Sequence, residues 1–167
     1  MAQADYYLKI DGITGESQAD GFKDQMQIES WSFGASNSGS AGQGTGMGVG
    51  KASMQDFHFV VQNGKASLQL FLATCKGNHI NQATLECRKT GGDGSPYTYY
   101  KVIFNDLVLS SFQTGGSNGS QVLPMEQVSF HFSKITMEYY QQATSGGGVD
   151  RTNSVVYDVK AVKGSGA

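Results

Sequence analysis

At 167 residues, 38% hydrophobic and 11% aromatic, the chain is the size of one ordinary domain and carries enough apolar mass for a core, which excludes a disordered polypeptide. A formal charge of −2 and a pI near 5.8 argue against a nucleic-acid binder, whose footprint is a basic face. Twenty-three glycines against two prolines describe many tight turns rather than a Pro-rich linker, and two cysteines make neither a disulfide framework nor a zinc pattern.

The N-terminal MAQADYYLKIDG has no basic segment followed by an apolar run, so no signal peptide is expected. No apolar stretch is long enough to span a membrane. The protein is therefore expected to fold in the cytosol and to leave the cell, if it does, without a cleaved leader. Cys75 and Cys87 are expected as reduced, buried thiols.

Strand alternation begins at once. Tyr6, Leu8 and Ile10 point one way, with Tyr7, Lys9 and Asp11 on the other face. The next apolar residues change phase: Met26 and Ile28 are even-numbered, Trp31 and Phe33 odd. A one-residue slip reverses every side chain of a strand, so a bulge or a crossing between sheets is expected there.

The run GASNSGSAGQGTGMGVGK, residues 34–51, invites a phosphate-cradle reading because it closes on Gly50-Lys51. That motif needs glycine where Thr45 stands and Ser or Thr where Ala52 stands. It also needs a following helix whose first amides hold the phosphate, whereas residues 54–61 read as a strand. The dinucleotide spacing G-x-G-x-x-G is absent as well. A long loop between two strands is uncommon without a function, and this one carries two apolar residues, Met47 and Val49, that no nearby core would take. It reads as an interface loop, ordered against another copy or a partner through Gly42, Gly44, Thr45, Gly46, Met47, Gly48 and Val49.

Within 64–77, Leu68, Phe71, Leu72 and Cys75 recur at helical spacing as one apolar stripe. An amphipathic helix of roughly three turns is expected, with Asn63 as N-cap and Lys76-Gly77 as its stop, covering one opening of the sheet. Strands follow at 83–89, about 97–112 and about 125–139, divided by the turns 91–96 and 114–119. In the first, Ala83, Leu85 and Cys87 alternate with Thr84, Glu86 and Arg88. In the third, Val128, Phe130 and Phe132 alternate with Ser129, His131 and Ser133, after which the phase changes to Ile135, Met137 and Tyr139. Val155, Tyr157, Val159 and Ala161 close the chain as a last strand. The fold class is mainly β: eight or nine antiparallel strands in a closed or strongly curved sheet, one helix, and one domain over residues 1–167.

Catalytic, metal and cofactor sites are not expected. His58, His79 and His131 lie in separate segments without ligand spacing, and Asp56 with His58 reads as a surface hydrogen bond. No Gly-x-Ser-x-Gly elbow occurs. The informative feature is polar alternation: Ser30 and Ser32 about Trp31, the Thr84, Glu86 and Arg88 row, and the Ser129, His131 and Ser133 row. Together they would form a broad, wet, weakly charged face, able to line a water-filled space if copies closed into a ring.

A set of stretches resembles the haemolysin-coregulated protein (Hcp) family, the tube subunit of type VI secretion: KIDGITGES at 9–17, IESWSFG at 28–34, the glycine loop, and GKASMQDF at 50–57. The helix followed by Gly77-Asn78-His79, LECRK at 85–89, VLSSF at 108–112, TGGS at 114–117 and VSFHF at 128–132 also fit in order and spacing. The resemblance covers about residues 5 to 162. It implies a small β-barrel of two packed sheets with one helix, assembled as a homo-hexameric ring. The rings would stack into a hollow tube within a sheath and behind a spike, with effectors in the lumen. It further implies that the loop at about 36–50 reaches a neighbouring ring and that Ser30 and Ser32 face the lumen. Such a protein is not an enzyme, inserts in no membrane, and is secreted without a signal peptide. The alternatives from other classes are a monomeric β-barrel binding a small ligand and a secreted hydrolase.

Overall fold

The computed structural model describes residues 3–39, 50–119, 121–143 and 148–166, which form eleven strands and one helix. In chain order they are β1 (Asp5–Ile10), β2 (Met26–Ile28), β3 (Ser30–Ser32), β4 (Ala35–Asn37), β5 (Ala52–Met54), β6 (Phe57–Gln62), α1 (Lys65–Lys76), β7 (His79–Thr90), β8 (Pro96–Gly115), β9 (Met125–Gln142), β10 (Val149–Asp158) and β11 (Lys163–Gly166). Nine strands make one antiparallel sheet, in the order β11-β10-β9-β8-β7-β1-β2, with β6 joined to β9 and β3 joined to β6; β4 and β5 form a separate hairpin.

The sheet curls because β9 serves two neighbours along one edge. Its first half, Met125 to Phe130, pairs with β6, and its second half, Lys134 to Gln142, pairs with β10. The barrel closes at Glu29. Before it, β2 pairs with β1; after it, β3 pairs with β6, and the Glu29 amide itself donates to Val60 O at 2.8 Å. The phase change between Ile28 and Trp31 is thus a chain crossing from one partner strand to another.

The second phase change is shared by three strands. Buried Ile80 and Ala83 in β7, Leu107 and Phe104 in β8, and Phe132 and Ile135 in β9 flank the row Asn81–Asp106–Ser133, while the pairing register continues across it. Asp106 takes a left-handed backbone there, φ 53°, and its carbonyl accepts the Ser133 hydroxyl at 3.3 Å. One bend crosses the sheet, and each strand turns its other parity inward beyond it.

Inside the barrel three phenylalanines touch pairwise: Phe57–Phe104, Phe57–Phe130 and Phe104–Phe130, with ring centroids 4.8, 5.0 and 5.1 Å apart. All three are fully buried, with Leu8, Leu85 and Leu107 beside them. Tyr7, expected outside, is buried because Phe22 from the following loop stacks on it at 4.5 Å. Val155 and Ala161, expected inside, are exposed; β10 ends at Asp158, so Ala161 lies in a turn.

The helix forms where the spacing places it and is turned about its axis. Ala66, Ser67, Leu70 and Ala73 are buried, whereas Leu68, Phe71, Leu72 and Cys75 face outward. Small residues let the helix approach the sheet closely, and Leu70 fills the gap between them; periodicity alone does not choose between two apolar stripes. The N-cap is Gly64, whose amide donates to Ser67 Oγ at 2.9 Å, while Asn63 Nδ2 donates to buried Glu126 Oε1 at 2.8 Å. Gly77 ends the helix in the left-handed conformation, φ 62°, where a side chain would be strained.

Candidate functional site

Four strands present a common outer deck. In register, Ser32 stands opposite His58, His58 opposite Ser129, and Ser129 opposite Ser111; a second row runs Ser30, Val60, Gln127, Gln113. The residues between them, Trp31, Phe57, Phe59, Val128 and Phe130, turn inward, and the strand period leaves Ser30, Ser32, His58, Ser111, Gln113 and Gln127 exposed, with Val60 half-buried and Ser129 buried among them. Neither row contains a fixed charge at neutral pH. Ser30 and Ser32, the residues singled out by their alternation about Trp31, are both exposed on the edge strand of this deck.

At one border sits a hydrogen-bonded cluster. Ser110 Oγ donates to Asp56 Oδ2 at 2.7 Å and lies 2.8 Å from Ser129 Oγ; Ser111 also reaches Ser129, and Asp56 Oδ1 binds His131 Nδ1. A bulge between Leu109 and Ser111 turns two consecutive serines towards β9. That bulge is why sequence alternation missed Ser110 and Ser111, while the β6–β9 register, with Phe57 opposite Phe130, brings Asp56 to His131 rather than to the expected His58. A nucleophilic triad needs imidazole between hydroxyl and carboxylate. Here the carboxylate stands between serine and histidine, so no imidazole touches Ser110 Oγ.

The other polar row is set apart. Glu86 binds Thr98 Oγ1 at 3.0 Å and Lys101 Nζ at 3.6 Å, and the Arg88 guanidinium lies 4.6 Å from the Phe22 ring centroid. Thr84, Glu86 and Arg88 lie on β7, beyond the bend, and Ser133 on the bend itself, so of the alternating polar residues Ser30, Ser32 and Ser129 stand in the rows of the deck and His131 at its border. His79 Nε2 pairs with Asp106 Oδ1 at 3.1 Å. Among the described residues no three His, Cys, Asp or Glu side chains gather as a metal site.

Gly42, Gly44, Thr45, Gly46, Met47, Gly48 and Val49 lie outside the described residues. Their stem is the β4–β5 hairpin, in which Asn37 Nδ2 donates to Gly50 O at 2.8 Å. Gly50 is required: a Cβ there would come within 2.4 Å of Ser38 O. Lys51 leads into strand β5, so no helix N-terminus follows the Gly-Lys pair and the phosphate reading fails on structure too.

Both thiols differ from one another. Cys87 is buried, and desolvation pushes its pKa up to about 12, with a hydrogen bond from Trp31 opposing and the Glu86 charge adding to the rise. Cys75, expected in the core, is exposed on the outer stripe of α1.

The family model described as "Type VI secretion system effector, Hcp" matches residues 7–139. This chain belongs to the Hcp family. Protein hcp1 of Pseudomonas aeruginosa is 34% identical over 142 residues, 85% of this chain and 86% of that one. The crystal structure of Hcp1 from Salmonella typhimurium superposes with a TM-score of 0.75 at 34% identity, covering 98% of this chain and 99% of that chain. A structure described as a type six secretion system protein gives a TM-score of 0.87 at 27% identity, covering 98% and 100%. Hcp is a structural tube protein of type VI secretion and not an enzyme family. Among the described residues no helix is long and apolar enough to cross a membrane.

Proposed function

We propose that this chain is the repeating unit of a type VI inner tube: six copies close into a ring, rings stack inside the sheath and behind the spike, and the tube is secreted without a signal peptide with effectors in its lumen. The observation that carries this reading is the deck of Ser30, Ser32, His58, Ser111, Gln113 and Gln127, a wet surface without fixed charge laid over a dry aromatic core. A neutral polar wall suits a channel that holds different proteins, since it neither repels one sign of charge nor adheres to apolar surface. The glycine loop carried by β4 and β5 reaches the next ring, its glycines giving backbone that extends and bends without a Cβ penalty.

A small-ligand barrel needs an open interior, and Phe57, Phe59, Phe104 and Phe130 fill this one. Light scattering behind size exclusion, with negative-stain images, tests the reading. Six-chain particles with a central hole are expected at micromolar concentration, and a monomer there would sink it.

A further inference from the structure

The chain has three histidines, from three different strands, and all of them stand exposed on one face of the sheet. His58 on β6 lies opposite Ser129, and His131 is two residues farther along β9 on the same side. His131 lies opposite Val108 on β8, and Val108 opposite His79 on β7. The third imidazole therefore stands two strands from the second, about 10 Å away at the usual spacing.

Their partners differ. Asp56 binds His131 and Asp106 binds His79, whereas among the described residues no carboxylate pairs with His58. His58 instead lines a shallow hollow of about 390 Å³ with Ser30 and Ser32 from β3, Ser111 and Gln113 from β8, and Gln127 from β9. To this hollow β3 and β8 bring no charged group. The titratable neighbours are His131 from β9 and Asp56 just before β6. Lys51, leading into β5, shares a second hollow with those two. Lys160 lies 3.7 Å from Asp106 Oδ2, on the His79 side.

Imidazole is the side chain whose ordinary charge change falls between pH 5 and 8. Above that interval the two rows of the deck carry no charge, and the Asp56 carboxylate at their border is held by Ser110 and His131. Below it, a proton on His131 offsets Asp56, and a proton on His58 has nothing to offset it. The face passes from weakly negative to positive. Repeated around a channel, that change acts from all sides, because walls of low dielectric focus the field.

We propose that this face selects cargo by charge and that pH sets the choice. Acidic protein surfaces are held when His58 and His131 are protonated, and released when they are neutral. This rests on the ring reading above, which makes the face a lumen wall, and it names the residues that tune that wall. Charge complementarity fixes the partner as an acidic polypeptide surface.

The test uses rings of the full chain and a rhodamine-labelled oligo-aspartate, with oligo-lysine as its counterpart, followed by fluorescence anisotropy at low salt. Oligo-aspartate is expected to bind about tenfold more tightly at about pH 5.5 than at about pH 8, the order that two or three exposed ion pairs supply. Oligo-lysine should show the opposite trend. Combining His58→Gln with His131→Gln should remove the difference, and His58→Lys should bring tight oligo-aspartate binding to the alkaline end. A gain at low pH that survives the double variant would come from charge elsewhere on the protein and overturn the proposal. So would a His58→Lys variant that binds no better than the natural chain at the alkaline end. Negative-stain images of the same samples separate this from the ring reading. Closed rings with a flat pH profile overturn the proposal alone, whereas chains that never close remove the lumen and the proposal with it.

Discussion

Leu70 is fully buried, while Leu68, two residues earlier in the same helix, is 79% exposed. The same residue type therefore has two different jobs, and substitution should separate them. Leu70→Ala is expected to cost about 2–5 kcal/mol, the range for deleting a packed leucine side chain from a core. Leu68→Ala should change the stability of the monomer by less than about 0.5 kcal/mol, as surface changes do. Denaturant unfolding of both variants under conditions that keep the chain monomeric checks this. Equal losses would mean that the helix is turned the other way.

The contrast also marks how far the sequence could be read. Strand parity gave the inward Leu8 and Ile10 of β1, Ala83, Leu85 and Cys87 of β7 and Val128, Phe130 and Phe132 of β9, though it put buried Tyr7 and Ser129 outside, and both phase changes proved to be real geometric events, at Glu29 and at the Asn81–Asp106–Ser133 row. Such events are legible because a strand has only two faces. A helix with two apolar stripes has no comparable constraint, so the large stripe Leu68, Phe71, Leu72 was assigned inward while Ala66, Leu70 and Ala73 took that place. The deck was half legible for a related reason. Ser30, Ser32 and Ser129 follow the alternation, but which strands lie side by side depends on pairings between distant segments. The Ser110–Asp56–His131 cluster further depends on a bulge that no local residue announces.

The two cysteines should report on the fold from opposite sides. Under native conditions a maleimide is expected to label Cys75 promptly and Cys87 only after unfolding, so mass spectrometry should find one adduct, then two in denaturant. Burial raises the Cys87 pKa from 9.0 to about 12, so the folded state holds that proton more tightly than the unfolded state does. Its contribution to stability is complete below pH 9 and is lost as pH rises from 9 towards 12. Tyr99, raised to about 12 chiefly by desolvation, adds to the same trend. Urea midpoints should fall across that window, and Cys87→Ala should make the fall shallower; a midpoint independent of pH there would contradict the assignment.

Ser32 tests the deck. Its side chain is exposed and pairs across to His58, so Ser32→Glu places a carboxylate on the neutral surface without entering the core. Stability should move by less than about 0.5 kcal/mol and rings should still form. Retention of a co-expressed effector should change, falling for an acidic cargo and rising for a basic one. Unchanged co-purification of both kinds of cargo would argue that this face does not line the lumen.

The glycine loop should prove separable from both the barrel and the ring. Its stem is closed locally: Asn37 stands opposite Ala52, Asn37 Nδ2 holds Gly50 O, and the Gln55 amide donates to Gly34 O at 2.8 Å. Deleting Gly42–Val49 leaves residues 38–41 and 50–51 to close the hairpin, a length that short connections favour. Circular dichroism and the unfolding midpoint should therefore be close to those of the intact chain, and single rings should persist in negative stain. Stacked tubes should become rare, and secretion should drop with them. Loss of the rings themselves would move the loop from the contact between rings to the contact within one.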